Sequence, residues 1–432
     1  MRAEQSPFVT LFLNIEEDDA YVEEVASIVE EILKQRLQGI KNGKGIFTTP
    51  TFPKLIYVLH EHNCLEGGKY DYITEQAVKC SAKRLYPDYI SAKEMKKIYE
   101  GNVFSCMGCR SFLSPWQDEK GQYKFEGRFN QGVVSLNLPQ IGIIAQGDED
   151  RFWSLLDNRL ELCYEALMCR HQALLGTLSD ESPIHWQHGA IARLPQGSTI
   201  DPLLKNGYST ISLGYIGLYE VTKLMKGVSH TMPEGEAFAL RVMEHLNEVT
   251  KQWKEATGLG FGLYGSPAES LCYRFARIDK AKFGEIKDIT DKGYYTNSYH
   301  VDVRENIDAF SKLKFESQFQ SISTGGCISY IEIPNMEHNI EALRQLVNYI
   351  YHNIQYAEFN TKSDCCHVCG FEGEIMINDA LEWECPQCHN KDQNKMNVIR
   401  RTCGYLGGNY WNKGKTQEIK SRVLHLSNGS IS

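Results

Sequence analysis

Positive charge is what this 432-residue chain has least to spare: 46 lysines and arginines face 55 aspartates and glutamates, a formal net charge of −9. No cationic surplus is available to displace counterions from phosphate, so a general affinity for nucleic acid is excluded as the main role. Long hydrophobic runs are missing too. The apolar stretches are broken by polar residues well short of the roughly 18 needed to cross a bilayer. Phe8-Val9-Thr10-Leu11-Phe12-Leu13 is followed at once by Glu16, Glu17, Asp18 and Asp19, which suits a strand or turn rather than a signal peptide. The chain shows no internal repeat or low-complexity tract, and its length suffices for one large core with a small appendage.

Cysteine, by contrast, is abundant, with fourteen in the chain. No secretion signal is apparent, so a reducing, cytoplasmic setting is expected. There cysteines bind metal, catalyse or lie buried rather than pair. Cys64, Cys80, Cys163, Cys169, Cys272 and Cys327 stand among apolar residues and read as small core hydrophobes. Cys366-x2-Cys369 and Cys385-x2-Cys388, separated by 15 residues, are different. Each pair lets two sulfurs from one tight turn reach an ion at about 2.3 Å, and four sulfurs close a tetrahedral shell with no place for water. A structural zinc site is expected, with iron the minority alternative. Gly370 and Pro386 stand where such turns need them. Cys365 has the wrong spacing, and His367 and His389 could substitute, although four cysteines suffice. The acidic neighbours Glu372, Glu374, Asp379, Glu382 and Glu384 weigh against a nucleic-acid-binding ribbon.

Apolar periodicity predicts long helices alternating with short strands. Val242, Leu246, Val249 and Trp253 fall at helical spacing before the stop signal Gly258. Phe152, Leu156, Leu160, Cys163 and Leu167 make a second face ending at Gly176. Tyr21, Val25, Ile28, Val29 and Ile32 make a third. Strand-like runs lie at Leu55–Leu59, Val133–Leu138, Ser212–Leu218, Gly260–Tyr264 and Cys327–Ile333. This alternation implies an α/β class with a largely parallel sheet, open or closed. Asn360-Thr361-Lys362-Ser363 reads as a polar linker into the cysteine-rich segment. Lys413 to Arg422 reads as a solvated helix face.

Three further segments carry candidate chemistry. Arg401-Thr402-Cys403-Gly404-Tyr405-Leu406-Gly407-Gly408 fits a flexible turn, and equally a backbone glycine holding an unpaired electron. Glycine has no Cβ, so a Cα radical can flatten and delocalise into both flanking amides. Cys106-Met107-Gly108-Cys109 fits a redox pair or half a metal site. Ser266-Pro267-Ala268-Glu269-Ser270 follows a strand and opens an apparent helix, whose free N–H groups suit a phosphate or simply mark an N-cap. Ser212-Leu213-Gly214-Tyr215 reads as packing.

In combination these segments are distinctive. M-G-C-R-S-F-L (107–113), G-R-F-N-x-G-V-V-S-L-N-L-P (127–139), K-G-Y-Y-T-N-S-Y-H (292–300), the two knuckles and R-x-C-G-Y-L-G occur in one order. Together they closely resemble the anaerobic (class III) ribonucleotide reductases, which are glycyl radical enzymes. The resemblance runs from Pro7-Phe8-Val9-Thr10 to His425-Leu426. It implies part of a ten-stranded α/β barrel with a central cysteine loop (1–360), a four-cysteine zinc knuckle (361–395), and a glycyl radical loop with the C-terminal segment (396–432). It also implies residue roles. Gly404 would store the radical, and Cys109 would become the thiyl radical that takes the substrate 3′-hydrogen. Asn130 would line the substrate site, as in formate-dependent members, and Ser266, Ala268, Glu269 and Ser270 would hold substrate phosphates.

The implied reaction is anaerobic reduction of ribonucleoside triphosphates to DNA precursors, with formate as reductant. No redox pair follows the zinc ligands. The implied partners are an activating protein with an iron–sulfur cluster and S-adenosylmethionine, dNTP and ATP effectors, and a second copy in a homodimer. Full-length members carry an upstream ATP-cone region, a second active-site cysteine and much of the effector site. Here Met1 lies 108 residues before Cys109, so a fragment, a split-gene product or a late start is expected, with effector sites mostly upstream. A non-catalytic subunit that supplies the radical domain to a partner is one alternative. A pyruvate formate-lyase type of enzyme is another, but that type uses an adjacent cysteine pair in its central loop. Here the adjacent pair, Cys365-Cys366, lies in the knuckle.

Overall fold

The computed structural model describes residues 9–43, 45–267, 270–402, 404–408 and 411–426. Among these, eight principal strands form two sheets. They are β1 (Thr10–Leu13), β2 (Lys54–Leu59), β3 (Asp88–Ser91), β4 (Asn130–Asn137), β5 (Thr210–Ile216), β6 (Gly260–Gly265), β7 (Ser329–Glu332) and β8 (Tyr356–Asn360). The first sheet has the order β1-β2-β3-β8-β7, and the second β4-β5-β6. All pairings are parallel except β3 with β8. The hydrogen bonds therefore draw the α/β architecture as two sheets rather than one ten-strand ring.

The helices that cover these sheets start and stop where local chemistry allows. The principal ones are α1 (Val22–Gln38), α2 (Asp71–Arg84), α3 (Glu149–Leu174), α4 (Pro233–Thr257), α5 (Leu271–Phe283), α6 (Ala309–Ile322), α7 (Ile340–Asn353) and α8 (Lys413–Ser421). α3 is capped by Asp148, whose side chain accepts from the Arg151 N–H at 3.0 Å, and it buries the expected Phe152–Leu167 face. α4 begins with Pro233 and acidic Glu234 and Glu236, and it ends at Gly258 with φ +68°; both ends follow the usual asymmetry.

Two expectations about exposed surface need correction. α1 buries Ala26, Val29, Leu33 and Arg36, while Tyr21 and Ile28 stand 69% and 59% exposed. The buried stripe is one residue out of phase with the most apolar one, because Ala26, Val29 and Leu33 enter the cluster shared with Ile73, Ala77 and Val78 of α2. The basic segment after Lys413 is not a solvated face: Lys415, Glu418 and Arg422 are buried. Lys415 pairs with Glu418 at 2.6 Å, and Arg422 pairs with Glu418 and Glu332, both at 2.8 Å. These charges go inside because each finds a partner there.

Of the six cysteines read as core, Cys64, Cys80, Cys163, Cys272 and Cys327 are buried, but Cys169 is exposed. It sits on the outer side of α3, where helical phase outweighs its apolar neighbours. Two large apolar clusters fill the interior. One runs from Leu55, Tyr57 and Leu59 to Leu343 and Val347. The other joins Leu213, Leu263 and Phe112 to Phe152 and Val242.

Candidate active site

The chain segment Cys106–Leu113 lies between the two sheets. Its Phe112 N–H donates to Gly325 O at 3.0 Å, and Ser111 bridges Gly326, which in turn bridges Tyr264 of β6. Gly326 is obligatory at this crossing, because a Cβ there would run into the Arg110 carbonyl and the Tyr264 ring. Arg110 is buried, its Nη1 3.3 Å from His300 Nε2. Burial holds His300 down at about 4, so it stays neutral there. The 292–300 motif thus contacts the cysteine loop through His300.

The glycine-rich segment near the C-terminus is a hairpin. Arg400–Thr402 pairs antiparallel with Tyr405–Gly407, and Thr402 faces Tyr405. The tight turn between them needs positive φ, and Gly404 supplies it at +97°; Cys403 lies outside the described residues. The turn meets the cysteine loop reciprocally. A Cβ placed on Gly404 would lie 2.9 Å from Cys109 O and 3.0 Å from Cys109 Cβ, and one placed on Gly108 would lie 3.0 Å from Tyr405 Oη. One α-hydrogen of Gly404 therefore points at Cys109. The two segments, 295 positions apart (404 − 109), are packed closely, with Gly404 against the Cys109 backbone and Gly108 against the tip of Tyr405.

Around this contact Lys54, Cys106 and Tyr264 are buried, while Cys109 itself is half-buried. Cys109 Sγ lies 3.9 Å from Tyr264 Oη; burial first, then Cys109 itself, push that phenol well above its ordinary range, so it remains a neutral O–H. Lys54, fully buried at the start of β2, donates to Cys109 O at 2.7 Å and Gly404 O at 2.9 Å, and it pairs with Asp88 at 3.1 Å. Burial works against its charge, but Asp88 restores it and leaves the pKa raised. The Cys106 sulfur is within 3.8 Å of Tyr356 Oη and 3.7 Å of Cys109 O, and burial pushes its thiol up to about 11. It is a packing group here, neither a metal ligand nor a ready thiolate.

The second sheet supplies a floor of small polar residues. Register places Ser135, Gly214 and Tyr264 side by side, with Ser212 and Gly262 on the same face. Asn130, at the start of β4, donates from Nδ2 to Ser212 Oγ at 2.6 Å and accepts the Gly132 N–H at 2.8 Å. Ser135 and Ser266 hydroxyls are 2.7 Å apart, and a Cβ on Gly214 would collide with both. The sheet face that meets the Cys109 sulfur through Tyr264 is thus continuous with Asn130 and Ser266. Ser270 is exposed and makes no cap hydrogen bond at the start of α5. Ala268 and Glu269 lie outside the described residues. Ser212 and Gly214, which read as packing in the sequence, belong to this floor. The hint was their small size at a strand centre where larger apolar residues are usual.

The four knuckle sulfurs converge. Cys366–Cys388 and Cys369–Cys385 are each 3.7 Å apart, and all four lie within 4.8 Å of one another. A tetrahedron with zinc–sulfur bonds of about 2.3 Å has edges of about 3.8 Å, so the cage fits that ion. Gly370 and His389 hold matching turns, with φ +77° and +56°. Burial resists a thiolate at Cys366, but the N–H groups of Cys369 and Val368 bring it down to about 7. Cys365 is buried outside the cage.

Adjacent arginines join the knuckle to the glycine hairpin. Arg400 binds Asp364 at 2.5 Å and Ile375 O at 3.1 Å, and it lies over Trp383. Arg401 turns to the other side, meeting Asp88 at 2.5 Å and Glu358 at 3.1 Å. Cys366→Ser or Cys388→Ser should reduce bound zinc from one per chain to near none by elemental analysis. Structural zinc of this kind contributes roughly 10 kcal/mol or more to folding, so amide exchange across 396–408 should quicken before that of the sheets. Native protein without zinc or iron would show the assignment wrong.

Comparison with known proteins agrees with this geometry. The family model for anaerobic ribonucleoside-triphosphate reductase matches residues 1–425. The chain is similar to the anaerobic ribonucleoside-triphosphate reductase of Escherichia coli (strain K12), with 41% identity over 435 residues, 99% of this chain and 60% of that protein. It is 42% identical to the one from Enterobacteria phage T4, covering 98% and 68%. The chain thus spans about 60% of the length of the first of these relatives. Among solved structures, the anaerobic ribonucleotide reductase from Thermotoga maritima with dATP bound in the specificity site aligns with a TM-score of 0.62 at 20% identity, over 94% of this chain and 64% of that one. The B12-independent glycerol dehydratase from Clostridium butyricum aligns at 0.54 and 13%, over 90% and 56%. These likenesses show the shared α/β fold. Among the described residues, no helix is long and apolar enough to cross a membrane.

Proposed function

The chain belongs to the anaerobic ribonucleoside-triphosphate reductase family, and from that premise we propose that it carries the radical-storage and radical-transfer parts of ribonucleotide reduction. The observation that carries this reading is the contact of Gly404 with Cys109. A radical on the Gly404 Cα takes hydrogen from the Cys109 thiol; the Cα–H bond forms, the S–H bond breaks, and no charge moves. The resulting thiyl radical takes the ribose 3′-hydrogen of a ribonucleoside triphosphate held on the floor that includes Asn130, Ser135, Ser212 and Ser266. Ala268, Glu269 and Ser270 would complete the phosphate end. Burial of Gly404 suits radical storage, because a glycyl radical must be kept from competing reactions.

Formate is the proposed reductant: formic acid and the triphosphate become carbon dioxide, water and the 2′-deoxy product, which balances. Asn130 supports it, a neutral amide facing the floor and able to orient a small carboxylate. The zinc in the four-cysteine cage is structural, since four sulfurs leave it no open position. The radical itself is installed by a partner protein that uses an iron–sulfur cluster and S-adenosylmethionine. Homodimerisation, effector binding by dNTP or ATP, and the division into 1–360, 361–395 and 396–432 belong to the same proposal. The formate-lyase alternative fares less well, because the loop cysteine nearest to Cys109 is Cys106, whose sulfur faces backbone carbonyls and Tyr356.

The test is anaerobic activation followed by incubation with a ribonucleoside triphosphate and labelled formate. Labelled carbon dioxide and deoxynucleotide should appear one for one. Turnover driven by a thioredoxin-type dithiol and indifferent to formate would rule formate out, and a chain that never acquires a radical would remove the whole reading.

A further inference from the structure

We infer that Lys54 is a positioning residue for hydrogen transfer between Gly404 and Cys109, holding the two reacting residues together by their own carbonyls. The inference rests on the function proposed above and concerns a residue outside the motifs. An ammonium group has three donors. Those of Lys54 have three acceptors: Cys109 O at 2.7 Å, Gly404 O at 2.9 Å and Asp88 Oδ2 at 3.1 Å. Its flanks are covered by the Tyr356 and Tyr405 rings, 5.3 and 5.4 Å from Nζ. Asp88 is fixed in turn by Arg401 and by the Tyr356 hydroxyl at 2.7 Å. Lys54 and Arg401 against Asp88 and Glu358 make a buried cluster without net charge.

The plain alternative is a buried salt bridge that merely ties β2 to β3. Two features point beyond it. Both carbonyl acceptors belong to the residues that must exchange a hydrogen atom, although they are far apart in the chain. The Gly404 carbonyl is also part of the radical, because the unpaired electron spreads from Cα into that amide. A cation donating to the oxygen draws spin toward it and away from Cα. Lys54 therefore bears on both the spacing of the pair and the electronic character of the stored radical.

Removing one partner of a buried pair strands the other charge, and that alone can unfold the site. The double variant Lys54→Met with Asp88→Asn removes both charges and leaves Arg401 paired with Glu358. It is to be compared with Lys54→Arg and with the parent, all in the full chain after anaerobic activation. Zinc content and thermal melting serve as controls for folding. We expect the folded double variant to carry a Gly404 radical whose α-hydrogen splitting is wider than the parent's. Its use of that radical should be slower by on the order of 10²-fold, the scale of a small misplacement of reacting groups. Lys54→Arg, which keeps the cation, should hold the parent splitting. A folded double variant with the parent's splitting and rate would overturn this inference alone. A double variant that melts and loses zinc while Lys54→Arg departs from the parent splitting would overturn it as well. A parent chain that never shows a radical would remove the proposed function and this inference together.

Discussion

Gly404→Ala should abolish the electron paramagnetic resonance doublet of the activated protein. The expected doublet has a simple origin: a glycyl radical keeps one α-hydrogen, which splits the signal in two. Alanine fails for two reasons visible in the structure. The backbone at this position has φ +97°, a conformation costing an L-residue about 1–3 kcal/mol. The added methyl would also press on Cys109 O at 2.9 Å and Cys109 Cβ at 3.0 Å, contacts that the backbone of a packed loop has little room to relieve. Any radical formed at this position in the Gly404→Ala variant would couple to three methyl hydrogens and give a multi-line pattern instead of a doublet. Air exposure offers an independent check. Oxygen should cleave the activated parent at Gly404, releasing a C-terminal peptide that begins at Tyr405, and should leave Gly404→Ala intact. A variant that retains the doublet, or an activated parent that stays full length in air by mass spectrometry, would disprove storage at Gly404.

Cys109→Ser should fail at the next step. The hydroxyl fits where the thiol stands, and neither Gly404 nor the zinc cage is touched, so the doublet should form at the parent's amplitude. Product should nevertheless fall below detection. An O–H bond is much stronger than S–H, so hydrogen transfer to the Gly404 radical becomes steeply uphill. An added barrier of only about 6 kcal/mol already slows a step roughly 10⁴-fold. Cys106→Ser is the contrasting case, since that sulfur meets the Cys109 carbonyl and Tyr356 but not Gly404; its main cost should appear in stability. Deoxynucleotide formation by Cys109→Ser at even a hundredth of the parent rate would remove Cys109 from the proposed chemistry.

What could be read in advance followed from local rules. Helices α3 and α4 announced themselves by the spacing of their apolar residues and by the stop glycines Gly176 and Gly258, signals that act within a turn or two. The four knuckle cysteines were legible because their spacing is set by a metal that tolerates few arrangements. The cysteine and glycine motifs were legible as a pair only through resemblance; their contact across 295 positions (404 − 109) leaves no local trace. Phase was harder: α1 buries Ala26 rather than Ile28, a choice made by its packing against α2. The basic run after Lys413 was misjudged for a similar reason. Its partner Glu332 lies on β7, far away in the chain, and charge read without partners suggests solvent. Lys54 was invisible because a lysine before an apolar strand looks like an edge residue until its three acceptors are in place.

The strand carrying Arg400 and Arg401 has a further consequence for how this chain tolerates change in length. Successive side chains on a strand point to opposite sides, so these two arginines rivet the hairpin to the zinc module on one side and to the five-stranded sheet on the other. Insertion or deletion of a single residue inside this strand, between Arg401 and Gly404, would exchange the two faces. Arg401 would then be turned toward the zinc module, and Asp88 would be left buried without that cation. Within that strand, length can vary only in steps of two without exchanging the two faces.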